Sequence, residues 1–103
     1  MGMFDMMGKL NELKKSVEQT RARLADIPVH AEAGHGLVKV YGNALREIQR
    51  IEIDDSLLQP AKKEELEDYL LTAANRMLQA AKEKEETELK NAAGGLIPPG
   101  MGF

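Results

Sequence analysis

Apolar residues recur at alternating spacings of three and four along the first part of the chain. The positions are Met3, Met6, Leu10, Leu13, Val17, Thr20, Leu24 and Ile27, of which all but Thr20 are apolar. A seam of this kind is one face of an amphipathic helix. Pro28 disfavours helical backbone at the residue before it. The pattern therefore predicts a first helix over about residues 3–26.

From residue 29 the period of the apolar positions changes to two, which is typical of β-strands. Residues 29–53 are predicted to form a sheet of three strands. Gly34-His35-Gly36 separates the first strand from the second. Gly42-Asn43 is predicted to be a tight hairpin connection to the third.

The third strand, predicted over about residues 46–53, does not keep a single alternation. Ile51 and Ile53 share one face of the strand, whereas Ile48 falls on the other. Either a β-bulge shifts the register or both faces of this strand are partly covered.

A second long helix is predicted over about residues 60–93, after a short turn or helix at residues 55–59. Pro60 suits the first helical position, and the acidic residues from Glu64 to Asp68 complement the helix dipole. Its apolar seam consists of Leu66, Leu70, Ala73, Met77 and Ala80. Gly94-Gly95 ends the helix, and residues 94–103 are predicted to be a flexible tail.

The predicted helices are too long for a small sheet to cover. At about 1.5 Å per residue they span roughly 36 and 50 Å. A compact domain of this size has a radius of gyration near ~13 Å. A second copy of the chain is the most economical cover, so we predict an elongated homodimer. The candidates for dimer packing are Leu10, Leu13, Val17, Val38, Val40, Ile51 and Ile53.

Length and composition fit a single helix-rich domain over residues 1–103. The chain contains no cysteine, which excludes disulfides, thiolate metal sites and cysteine nucleophiles. No apolar run approaches the ~18 residues of a membrane span, and no secretion signal is apparent. We therefore predict a cytoplasmic protein without a membrane partner.

The net charge of −3 is unevenly distributed. Residues 1–27 hold five basic and four acidic residues, whereas residues 54–103 hold six basic and ten acidic residues. A net negative charge does not favour nucleic-acid binding, so a DNA-binding hypothesis depends on local clusters of basic residues. The candidate phosphate contacts on the first helix are Lys9, Lys14, Lys15, Arg21 and Arg23. The alternative is a solvated helix face with Glu12 and Glu18 as their partners.

Other chemistry finds little support. Lys39 stands where a third glycine of a phosphate-binding loop would fall, so the glycines are predicted to form a turn. His30 and His35 have only Glu32 as a nearby carboxylate, and solvent exposure is the favoured interpretation over a metal site. We predict no catalytic residue, cofactor, metal or small-molecule substrate.

Five segments in order carry a resemblance to a known family. They are Gly36-Leu37-Val38-Lys39-Val40, Glu52-Ile53-Asp54 with Ser56-Leu57-Leu58, Leu66-Glu67-Asp68, Ala74-Asn75 and Pro98-Pro99-Gly100-Met101. Together they resemble the YbaB/EbfC family of bacterial nucleoid-associated DNA-binding proteins. One departure is Asp55, where members commonly have proline. The resemblance implies a tweezer-like homodimer of α-β-β-β-α chains that binds DNA without catalysis.

These interpretations lead to one functional expectation and one alternative. We expect a nucleoid-associated protein that binds duplex DNA with low sequence specificity, organises the nucleoid and affects gene expression. Low specificity is expected because the sequence has neither an aromatic stacking platform nor a recognition-helix signature. The alternative is a homodimeric protein-interaction module that uses its helices or the Leu96–Met101 tail, without physiological DNA binding.

Overall fold

A computed structural model describes the backbone of Met3–Ala93 and the side chains of residues 8–92. The elements are α1 (Met3–Ala25), β1 (Pro28–Ala33), β2 (Val38–Asn43), β3 (Ile48–Ile53), two 3-10 turns (Asp55–Leu57 and Pro60–Lys62) and α2 (Lys63–Ala93). The strands form one antiparallel sheet in the order β1-β2-β3. The predicted α+β class and α-β-β-β-α order are confirmed. The predicted tail, residues 94–103, lies outside the described residues, as do the side chains of Met3 and Met6.

The core lies between α2 and one face of the sheet. Ala73 and Met77 of α2 are completely buried, as are Val38 and Val40 of β2. Helix α2 lies mainly over β1 and β2. This corrects the prediction that Val38 and Val40 pack across a dimer interface, because their own chain already covers both side chains.

A β-bulge in β3 resolves the broken alternation. Tyr41 pairs with Arg50, but the next residue, Gly42, pairs with Ile48, so Gln49 has no partner. The bulge places Ile48 on the same face as Ile51, which is the first of the two predicted alternatives. Helix α2 does not extend over β3, and Ile48 and Ile51 remain 43% and 44% exposed.

The prediction of a tight turn at Gly42-Asn43 is wrong. Both residues end β2, and the chain reverses over residues 44–47. The buried Asn43 side chain builds this longer turn: its Oδ1 accepts the N–H groups of Leu45 and Glu47 at 3.0 and 3.2 Å. Its amide also donates to the Glu47 carboxylate at 2.7 Å. The Asn43 side chain therefore forms the hydrogen bonds that hold this four-residue turn together, and a two-residue turn would not contain their partners Leu45 and Glu47.

The Gly34–Leu37 connection between β1 and β2 is a turn, as predicted. Gly34, His35 and Gly36 have φ angles of 63°, 55° and 86°. Gly34 also lies against the ring of Tyr69 on α2, where an added Cβ would approach a ring carbon to 2.8 Å. Glycine at position 34 thus permits the left-handed backbone and leaves room for the Tyr69 ring of α2.

Asp54 caps the first 3-10 turn after β3. Its carboxylate accepts the Ser56 hydroxyl at 2.5 Å and the Ser56 N–H at 3.0 Å. These bonds, the hydroxyl first, lower the pKa of the Asp54 carboxyl below its usual value. Because the pKa of Asp54 is lower in the folded state than in the unfolded state, the cap stabilises the fold at neutral pH. This stabilisation is lost as the pH falls through the folded-state pKa.

We expect Gly42→Ala to destabilise the fold. An added Cβ would lie 2.1 Å from the Glu47 carbonyl oxygen and 2.7 Å from the Met77 methyl group. Overpacking of this kind costs about 1–3 kcal/mol or more. Gly8→Ala on α1 is the matched control, because its Cβ would meet nothing within 4 Å. Thermal unfolding should show a lower Tm for Gly42→Ala only; equal Tm values would contradict this packing account.

Candidate nucleic-acid interface

All five candidate cations are exposed on α1, but the helix separates them into three positions. Each residue turns the helix by about 100°. Lys14 and Arg21 each follow a seam residue, so they lie within about 20° of one another on one flank of the seam. Seven residues separate them, which is a rise of roughly 10 Å along the axis. These two side chains form a short basic row.

The other three cations do not join that row. Lys9 and Arg23 each precede a seam residue and therefore lie on the opposite flank. The guanidinium of Arg23 donates to the Thr20 hydroxyl at 3.5 Å. Lys15 lies about 160° around the helix from Val17, on the face away from the seam. The structure thus brings Lys14 and Arg21 together, whereas Lys9 and Arg23 share a flank but lie roughly 21 Å apart along the axis, and Lys15 is alone.

The α1 cations have no carboxylate partner among the side chains that the structure describes. The ion pairs present there lie on the β2–β3 turn, β3, the second 3-10 turn and α2: Arg46–Glu85, Arg50–Glu52, Lys62–Glu65 and Lys63–Glu67. Glu12 and Glu18 therefore form no direct ion pairs with these described cations, although the alternative proposed them as partners. These ammonium and guanidinium groups remain available to phosphate oxygens.

The cations of α2 are less available. The guanidinium of Arg76 donates to the Glu32 carbonyl oxygen at 3.0 Å, which closes part of the outer edge of β1. Lys84 lies beside Glu83 in a shallow groove between α2 and β1. Four acidic residues, Glu83, Glu85, Glu86 and Glu88, occupy this part of the helix. We expect a weaker attraction for phosphates here than on α1.

The open face of the sheet carries a row of planar side chains that the sequence patterns did not reveal. The His30 and Tyr41 rings stack with centroids 6.0 Å apart, and the Arg50 guanidinium lies 5.4 Å from the Tyr41 centroid. The Tyr41 hydroxyl donates to Glu52 at 3.1 Å. The tyrosine ring thus already has His30 and Arg50 as neighbours, which would compete with a base for stacking on it. The signal was the strand register, which sequence alone does not give.

Other candidate chemistry stays separate. His30 and His35 are exposed, as predicted. Within residues 8–92 no three histidine, aspartate or glutamate side chains converge to hold a metal ion. Two of the carboxylates at the start of α2, those of Glu65 and Glu67, pair with Lys62 and Lys63. No helix in the described part of the chain is long and apolar enough to cross a bilayer.

Comparisons with known proteins agree with this architecture. The model of the YbaB/EbfC DNA-binding family matches residues 1–96. A nucleoid-associated protein of Flavobacterium johnsoniae is 39% identical over 98% of this chain and 95% of its own length. One from Maricaulis maris is 38% identical over 96% of each chain. A crystal structure of an uncharacterized Helicobacter pylori protein superposes with a TM-score of 0.78 at 32% identity, covering 88% of this chain and 96% of its own.

Proposed function

This chain belongs to the YbaB/EbfC DNA-binding family, and on that premise we propose that it binds duplex DNA through the phosphate backbone. The basic row of Lys14 and Arg21 supplies the first contacts, and Lys9 and Arg23 extend them. The observation that carries this proposal is the set of exposed cations on α1 that have no carboxylate partner among the side chains of residues 8–92. Charged groups of this kind bind phosphates irrespective of base sequence. Low sequence specificity is the expected consequence. We also propose that the protein organises the nucleoid and affects gene expression; the nucleoid role is supported by relatives that are named nucleoid-associated proteins.

The surface depressions of the described residues do not favour an enzyme. Three depressions in the described part of the chain are open and shallow, and their linings mix charged and apolar groups. General acid–base catalysis needs a site that separates the pKa values of two groups. We therefore propose a non-catalytic protein that uses no cofactor or small-molecule substrate and acts in the cytoplasm at the nucleoid.

We further propose that the functional unit is a homodimer. Leu10, Leu13 and Val17 continue the seam beyond the buried Thr20 and Leu24, yet they are 57%, 56% and 46% exposed. A helix gains most of its stability from packing its apolar face. Equivalent residues of a second copy would cover this seam and the exposed Ile48 and Ile51, with Ile53 at the edge of the patch. A dimer would also double every basic row.

We expect duplex retardation at low salt that weakens steeply as salt rises. Each phosphate contact contributes about 0.9 to the negative slope of log K against log salt concentration. The measurement is a fluorescence-anisotropy titration with two duplexes of unrelated sequence, which should give similar affinities. Absence of binding at low salt would remove the DNA proposal and leave the protein-interaction module as the surviving alternative.

We expect Lys14→Ala/Arg21→Ala to weaken binding and to reduce the salt slope by roughly 0.9 for each phosphate that is no longer bound. The matched control is Lys62→Ala/Lys63→Ala, which removes the same charge from ion-paired residues at the start of α2. Lys15→Ala tests the far side of α1. Equal effects of the two double variants would contradict a localised row, and a larger effect of Lys15→Ala would move the contact across the helix.

Light scattering at micromolar concentration should give twice the monomer mass of 11.4 kDa. Val17→Asp should shift the mass toward the monomer, because it places a charge within the proposed contact. Gln19→Asp is the control, since Gln19 lies about 160° around the helix from Val17. A monomer mass for the unaltered protein would refute the homodimer.

A further inference from the structure

The turn between β2 and β3 contacts both long helices. Its Ala44 N–H donates to the carbonyl oxygens of Leu24 and Ile27 at 3.2 and 3.1 Å, where α1 ends. Its Arg46 guanidinium pairs with the Glu85 carboxylate of α2 at 3.1 Å. Residues far apart along the chain are thereby joined through one four-residue connection.

This connection is held firmly on the sheet side. Asn43 is 3% exposed and bonds to the backbone and side chain of the turn. Arg46 adopts a left-handed backbone, with φ of 65°, which favours glycine. A long cation nevertheless occupies the position, and its side chain reaches a partner 39 residues along the sequence. Outliers of this kind are grounds for asking what the side chain does.

We propose that Arg46 is a positioning residue that, through Glu85, fixes the angle between α1 and α2. This inference rests on the proposed DNA function, because that angle sets where the α1 cations lie. On the N-terminal side of Thr20 the described seam residues Leu10, Leu13 and Val17 are exposed, so this part of the helix is held chiefly at its C-terminal end. A rotation of about 10° there would move Lys9, roughly 21 Å from Arg23 along the axis, by about 4 Å. That displacement is large compared with the reach of a phosphate hydrogen bond.

The competing explanation is that Arg46 contacts phosphate directly, and charge distinguishes the two. In a simple electrostatic role, removing the Arg46 cation weakens DNA binding, whereas removing the Glu85 anion strengthens it. In a positioning role, both changes release α2 from the turn and both weaken binding. The pair is exposed, with side-chain accessibilities of 46% and 28%, so neither change should unfold the protein.

The binding experiment compares Arg46→Gly with Glu85→Gln. Glycine removes the side chain and still favours the left-handed turn. Both variants should lose duplex affinity by up to about fivefold, the factor that corresponds to about 1 kcal/mol. The charge-reversed pair Arg46→Glu/Glu85→Arg should regain most of that affinity. Stronger binding by Glu85→Gln, or no recovery in the reversed pair, would overturn the proposal.

The angle itself is measured without DNA. The chain has no cysteine, so Asn11→Cys/Asn91→Cys places unique spin labels on exposed sites of α1 and α2. Labelled protein diluted with unlabelled protein keeps the pulsed EPR distances within one chain. Arg46→Gly and Glu85→Gln should broaden or shift the distance distribution, and the reversed pair should restore it. An unchanged distribution would overturn the positioning role even if DNA binds, whereas a changed one without DNA binding would sink only the DNA proposal.

Discussion

The packing of α2 across the sheet sets what the rest of the molecule must do. A helix with its side chains is about 10 Å wide, whereas neighbouring strands lie about 4.8 Å apart. One helix therefore covers about two strands, and α2 lies mainly over β1 and β2. The small side chains of Ala73 and Ala81 let it approach Val38 and Val40 closely enough to exclude solvent from all four. The third strand is left without a covering helix, because α1 departs from the end of the sheet.

The helices were predictable because each carries a long periodic seam and a proline at a boundary. The broken alternation in β3 was visible in the sequence, but it left open both a bulge and a strand covered on both faces, and only the pairing register decided for the bulge. The position of the turn after β2 was not predictable, because the Gly-Asn dipeptide alone does not show which groups the Asn43 side chain can bond to. Nor could periodicity show whether a valine of β2 meets its own helix or a second copy. Both questions depend on contacts distant in sequence.

Some features of the candidate site could likewise be predicted from the sequence, and others could not. The separation of Lys15 from Lys14 and Arg21 follows from the helical step alone and could have been drawn from the sequence. The stack of His30, Tyr41 and Arg50 required the register of three strands. The pair of Arg46 and Glu85 required the position of α2 over the sheet. Chemistry on one helix is thus accessible to sequence reasoning, whereas chemistry between elements is not.

The acidic net charge does not oppose the proposed contact with DNA. Charges on a protein surface are screened beyond about 8–10 Å at physiological salt. Helix α1, with 23 residues, extends over roughly 35 Å, several times that distance. A phosphate near Lys14 therefore responds chiefly to the charges within about two helical turns along α1, where basic residues outnumber acidic ones. For the proposed contact, the local charge of α1 matters more than the total of −3, which also counts the acidic residues of α2.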